Sequence, residues 1–323
     1  MLQRLDSYHC NLIGLGILIV LEIAIGSLVQ NSYYLTVINL CMIFGIASVG
    51  LTVLMGYAGL ISLGQSAFFG IGAYVSANLA TNLNVEPVLA LMIGAMAAGV
   101  IGWLIARPLL RLSDLYFAMA SLAFGIIAYI LFGQMRGITG GLDPGFSSAP
   151  FSVLGWRLGD TRSMYWVCAT SLAIVALFVL NLVHSRFGRA LKALGSSEIA
   201  ADGLGISVVA YKAMALAISA GITGVAGGLF AFFLRSFNSS AFGFNLSIEL
   251  LVMVIVGSVR SVWGALLGAT LVTVLPSLLD RFEDYKLFAY GVAMVIIVMI
   301  MPEGLFQAMI EASQKLISRR KPT

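Results

Sequence analysis

Charge is scarce in this sequence. Only 10% of its 323 residues are Asp, Glu, Lys or Arg, against about 25% in a water-soluble domain. Such a chain cannot cover a water-facing surface. With 60% hydrophobic residues and a mean hydropathy of +1.01, it calls for lipid as solvent. Cysteine and histidine are also sparse. Cys10, Cys41 and Cys168 lie far apart, as do His9 and His184, so neither a disulfide framework nor a metal site is expected. No clustered nucleophile and base suggests an enzyme. No glycine is followed by lysine, which excludes the usual phosphate-binding loop of nucleotide hydrolases. The net charge of +4 is small and is better read through the distribution of positive loops around a membrane than as a nucleic-acid footprint.

What the chain does have is long apolar runs. Only helices and closed barrels span lipid, because every backbone polar group must be paired internally. A barrel would show alternating segments of about 10 residues, whereas these runs are continuous. Helical segments fall at about 11–29, 34–55, 66–81, 87–106, 115–134, 164–183, 209–233, 247–259, 264–279 and 287–305. The first is too long for a signal peptide and lacks its cleavage pattern. The expectation is a single all-α domain over residues 1–323, a polytopic transmembrane helix bundle of about ten spans. The count falls to eight if the short segments are re-entrant. Ten spans divide into two halves of five that would be inverted relative to each other, although no repeat is legible in the residues. With the N-terminus inside, Arg136, Arg157, Arg162, Arg235, Arg281 and Lys286 fall outside. The other twelve of the 18 basic residues fall inside. That bias predicts cytoplasmic termini.

Two stretches break the apolar pattern. Residues 56–74 hold five glycines with Ser62, Gln65 and Ser66. Glycine weakens a helix by about 1 kcal/mol against alanine and lets backbones approach closely in lipid. The stretch reads as tight helix packing, as a broken helix lining a solute path, or as both. Gly59, Ser62, Gly64 and Gln65 are the candidate solute contacts. The second break is Gly257–Gly264, where Arg260 beside Trp263 implies that the chain reaches the membrane surface. Glu22 and Glu249 are the acidic residues nearest hydrocarbon. Glu22, in mid-span, is expected to face protein. They are thin grounds for an ion-coupled carrier, which stays as an alternative. The longest outside loop, 135–163, contains the turn-forming Gly140–Gly145.

The sharpest signal is the segment 185–207. Phe187, Ala190, Leu191 and Leu194 share one helical face, and Arg189 and Lys192 point elsewhere. Gly195 is expected to end that helix in a left-handed turn. Ser196 or Ser197 would cap a second short helix with Glu198 in its first turn, and Gly205 would close it. Small residues here suit either a groove on another protein or a position flat on the headgroups.

The string Ser185–Leu194, followed by Glu198–Ala201 and Gly203–Ile206, resembles the coupling loop of bacterial ABC-importer permeases, specifically LivM-type permeases of branched-chain amino acid importers. Gly56–Gly59, Ser62–Gln65, Gly72–Tyr74, Leu115–Met119, Gly140–Asp143, Ser247–Leu251 and Trp263–Gly264 are similar to that family's motifs, in its order. The chain departs from the pattern at Gly195–Ser197, Ser258, Arg260 and Pro144. The resemblance implies a permease subunit in the bacterial inner membrane that itself binds no cofactor. A periplasmic solute-binding protein would deliver solute, a second related permease would complete the pathway, and two ATPase subunits would consume ATP. It implies that residues 185–207 form the ATPase-coupling loop, with Phe187, Arg189, Glu198, Ala201 and Gly205 as contacts. Branched-chain amino acids are the implied solutes, with urea, short amides and other amino acids as alternatives.

Overall fold

The computed structural model describes residues 2–112, 114–153, 156–279, 286–300 and 304–307. The side chains of Arg4, His9, Cys10, Arg157 and Lys286 lie outside that description, as do residues 280–285 with Arg281 and the basic tail from Lys315 to Lys321. Each of the ten apolar runs carries one helix in its described residues. These helices are α1 (Leu2–Leu28), α2 (Ser32–Thr52), α3 (Gln65–Asn82), α4 (Pro87–Leu109), α5 (Asp114–Gln134), α7 (Thr161–His184), α10 (Val208–Leu234), α11 (Phe244–Gly257), α12 (Val262–Leu278) and α13 (Lys286–Ile300). Short helices α6 (Arg136–Thr139), α8 (Arg186–Ser196) and α9 (Glu198–Gly203) lie in the connections. Among the described residues six helices, α1, α2, α4, α5, α7 and α10, are long and apolar enough to cross a membrane, while α11, α12 and α13 are shorter.

The connections gather at two ends of the bundle, as alternating spans require. At one end Leu110, Leu112, Glu198 and Lys212 line one cavity, while Asn11, Lys192 and Arg260 border one crevice. At the other end Phe146–Ser147 pairs antiparallel with Ser236–Phe237, Asn238 donates to the Leu142 carbonyl at 3.2 Å, and the Arg235 guanidinium donates to the Gly159 carbonyl. A cluster of rings fills the space beneath these loops. Tyr74 lies 5.1–5.3 Å from Phe132, Phe237 and Phe242, centroid to centroid, in tilted and edge-on contacts that aromatic quadrupoles favour.

Helix α10 forms the middle of the bundle, packed on α2, α3 and α4. Lipid tails are as apolar as leucine, so helices in a membrane associate through close packing and hydrogen bonds. Glycine makes the closest approaches. A methyl group on Gly227 of α10 would lie 1.9 Å from the Phe69 carbonyl oxygen of α3, and one on Gly72 would lie 2.1 Å from the Gly224 carbonyl oxygen. Gly94 of α4 faces Ser76 at 2.2 Å in the same sense. The hairpin of α11 and α12 is built alike, with Gly268 facing the Met253 carbonyl oxygen at 1.9 Å and Gly257 facing that of Gly264 at 2.0 Å. The residues left outside are large and apolar, such as Ile13, Ile17 and Val20 of α1 and Met92 and Met96 of α4, and meet the hydrocarbon.

Substituting Gly227→Ala should therefore part α3 from α10 and cost about 1–3 kcal/mol, the usual penalty of overpacking. Gly16 of α1 has nothing within 4 Å of an added methyl. Gly16→Ala should be neutral or stabilising by up to about 1 kcal/mol. Thermal unfolding of the two purified variants in one detergent checks the contrast.

Candidate functional site

The glycine-rich stretch 56–74 is both a break and a packing surface. Helix α2 widens into a π-helical turn at Val53–Tyr57. The chain then runs irregularly until α3 starts at Gln65, with Gly59 in the left-handed region at φ +72°. The freed backbone groups find partners. The Leu63 N–H donates to Ser121 Oγ of α5 at 3.0 Å, and the Ser66 N–H donates to Ser247 Oγ of α11 at 3.0 Å. Gln65 is fully buried. Its Nε2 donates to Ser219 Oγ of α10 at 2.7 Å, and Thr223 Oγ1 donates to its Oε1 at 3.5 Å.

The depth of this junction follows from helix geometry. Ser219 stands 11 residues above the start of α10 at Val208, or about 16 Å at 1.5 Å per residue. That is close to half of a hydrocarbon core of about 30 Å. The first turns of α3 and α11 therefore meet near the middle of the membrane, joined by Ser66 and Ser247, whose hydroxyls are 2.8 Å apart. Both N-terminal dipole ends lie there. Of the candidate solute contacts, Gly59 is exposed, whereas Ser62, Gly64 and Gln65 are buried within this chain. Ile61, Phe244, Asn245 and Ile248 are the exposed residues beside them.

The two breaks meet each other. A methyl on Gly56 would lie 1.9 Å from the Val259 carbonyl oxygen, and Tyr57 Oη donates to the Arg260 carbonyl at 3.3 Å. Arg260 is exposed at this end of the bundle, and Trp263 Nε1 donates to Asn11 Oδ1 at 3.2 Å. Glu22 faces protein as expected. It is buried, and its backbone carbonyl accepts from Tyr165 Oη at 2.6 Å.

The 185–207 segment forms two short helices with a corner. Ser185 caps α8 by accepting from the Gly188 N–H at 3.3 Å, and Ser197 caps α9 by accepting from the Ala200 N–H at 3.3 Å. One expectation fails. Gly195 does not end α8 in a left-handed turn. The helix continues to Ser196, and Ser197, with extended backbone, makes the corner. Gly195 serves close approach, since a methyl there would lie 2.7 Å from the Tyr57 carbonyl oxygen. Gly205 does adopt φ +81°, and its N–H donates to the Asp202 carbonyl at 2.8 Å.

The five residues singled out on this segment divide by exposure. Ala201 is buried, and Phe187 stacks on Tyr211 of α10 at 5.5 Å. Glu198 forms an ion pair with Lys212 of α10, and Lys212 is only 5% exposed. Arg189, which donates to the His184 carbonyl at 3.1 Å, and Gly205 face outward. The most exposed apolar side chains of the segment were not foreseen. Ile199 is 88% exposed and Leu204 79%, and both bracket α9. Their signal in the sequence was a large aliphatic residue off the buried face of so short a helix.

Removing the carboxylate with Glu198→Ala takes away a charge-assisted contact of the buried Lys212 and should cost about 1–3 kcal/mol. Adding Lys212→Met should recover part of the loss. Thermal unfolding of the single and double variants measures this.

Comparison with known proteins adds the lineage. The family described as the permease component of branched-chain amino acid transport systems matches residues 33–301. The chain is 33% identical over 291 residues to the high-affinity branched-chain amino acid transport system permease protein LivM of Escherichia coli (strain K12), across 83% of this chain and 68% of that protein. It is 26% identical to the probable branched-chain amino acid transport permease protein LivH of Methanocaldococcus jannaschii, across 78% and 83%. It is 28% identical to the nucleoside ABC transporter permease protein NupC of Lactococcus lactis subsp. cremoris, across 54% and 59%. No solved structure matches. A multi-pass bundle with a broken, glycine-packed centre and a match over most of its length place this chain in the family of branched-chain amino acid transport system permease components.

Proposed function

We propose that the chain forms half of the pathway of an ATP-driven, binding-protein-dependent importer of leucine, isoleucine and valine in the bacterial inner membrane, with both termini cytoplasmic. The solute reading rests on the relative that is 33% identical over 83% of the chain. The energy-coupling reading rests on one observation, the 185–207 segment. It presents Ile199 and Leu204 outward while Glu198 holds the buried Lys212 of α10. An apolar pair on a short, capped helix suits a groove on another protein. The chain has no Gly-Lys dipeptide, so the ATPase is sought in separate subunits.

In this reading one of the two ATPase subunits seats on the loop, Arg189 and Gly205 lie in the contact, and Phe187, Glu198 and Ala201 hold the loop to α10. A second, related permease covers the face carrying Gly59, Ile61, Phe244 and Asn245, and a periplasmic binding protein delivers solute to the opposite end. The exposed backbone at Gly59 and the N-terminal turns of α3 and α11 offer partners for an amino acid's ammonium and carboxylate, as broken helices do in other carriers, while the Gly64 carbonyl is held by the Ala67 N–H. Ser62 and Gln65 shape that junction from behind.

Replacing Ile199 and Leu204 with Asp should abolish co-purification of ATPase subunits while leaving the unfolding temperature unchanged, because both side chains are already exposed. Retention of the ATPase would overturn the docking reading. Gln65→Ala should lower leucine uptake several-fold in cells expressing normal amounts of protein, since Ser219 and Thr223 lose their partner. Unchanged uptake of every candidate solute would remove this junction from the pathway.

A further inference from the structure

A crevice of about 1120 Å³ opens beside α1, away from the α3–α11 junction. Its deep part is apolar, formed by Ile17, Leu18 and Leu21 of α1 with Leu266 and Leu267 of α12. Its other end holds Lys192 and Arg260, and no acidic residue lines it among the described residues. Tyr57 touches both residues, the side chain of one and the backbone of the other. Lys192 Nζ sits 5.5 Å from its ring centroid, and its hydroxyl donates to the Arg260 carbonyl at 3.3 Å. Trp263 and Asn11, hydrogen-bonded at 3.2 Å, border the same end.

The dimensions match one leaflet. In the sequence the apolar run of α1 starts at about Asn11, after Asp6 and His9, which places Asn11 near the membrane surface. Leu21 lies ten residues deeper, or about 15 Å, half of a hydrocarbon core of about 30 Å. Ile17, Leu21 and Leu267 are exposed on the outer surface of the bundle, so the crevice is open to the bilayer. Cationic pockets between spanning helices favour anionic headgroups, and tryptophan and tyrosine favour the headgroup level.

We infer that this crevice is a binding site for one anionic phospholipid, its phosphate between Lys192 and Arg260 and its acyl chains along Ile17, Leu21 and Leu267. The occupant is a lipid because the apolar depth equals an acyl chain's reach and the charge sits at one end only. The lipid would bridge α1, which otherwise packs mainly on α7, to the ends of α8 and α12.

The test uses the full-length chain, purified with its accompanying subunits and exchanged into nanodiscs of equal parts phosphatidylglycerol and phosphatidylcholine. After delipidation by mild detergent, retained lipid is measured by native mass spectrometry. Two cations near a headgroup should enrich phosphatidylglycerol about 5- to 30-fold in the retained lipid. The Lys192→Gln, Arg260→Gln double variant should lose that enrichment. Both side chains are exposed, and the Tyr57–Arg260 bond uses only the backbone of Arg260, so folding should persist. Ile17→Trp, which fills the apolar end and keeps both charges, should lose it too. Equal retention of both lipids by the wild type, undiminished enrichment in the double variant, or undiminished enrichment in Ile17→Trp would each overturn the proposal. So would a cysteine at Ile17 cross-linking to another subunit in place of retained lipid. ATP-driven uptake can stand under any of these results.

Discussion

Backbone-to-backbone contact along α10 is the constraint on which the rest depends. Hydrocarbon gives no reward for burying apolar surface, so helices in it hold together by touching closely and by hydrogen bonds. Here the touching is done by Gly72 and Gly227, where an added methyl would fall about 2 Å from a carbonyl oxygen of the facing helix. With no side chains between them, α3 and α10 cannot slide without separating. The π turn and the irregular residues 58–64 are tolerated because that packing, with Ser121, Ser247, Ser219 and Thr223, replaces the hydrogen bonds the break gives up.

This fixed contact gives α10 two attachments along its length. Near its start Lys212 meets Glu198 of the 185–207 segment and Tyr211 stacks on Phe187. About two turns further on, Ser219 and Thr223 hold Gln65, where α3 begins. The bundle end that carries the exposed α9 is thereby linked by one rigid rod to the mid-membrane junction of two helix starts. A buried lysine is costly unless paired, so the Lys212–Glu198 contact also biases the loop toward the bundle.

Much of this was legible in the sequence, for reasons that also mark what was not. The ten apolar runs were readable because lipid imposes a length and a polarity on every spanning element, and each carries one helix in its described residues. Ser197 as a cap and Gly205 as a left-handed closure followed from local chemistry. Gly195 was misread because glycine answers two demands, a positive φ and a close neighbour. The second depends on Tyr57, which is 138 residues away in the chain (195 − 57). The same limit hid the contacts that Phe187 and Glu198 make with α10 and the exposure of Ile199 and Leu204. The meeting of the breaks at Gly56 and Val259 was equally invisible, although each break was evident by itself.

On the proposed function, solute movement through this permease draws its energy from ATP hydrolysed by paired subunits, one of them docked on the 185–207 segment. The most direct test is leucine accumulation in proteoliposomes containing the assembled complex and its solute-binding protein. ATP is supplied on the side of the ATPase subunits, with and without a protonophore. Accumulation should require hydrolysable ATP and persist when the proton gradient is collapsed. Accumulation that continues without ATP and disappears with the protonophore would contradict that reading.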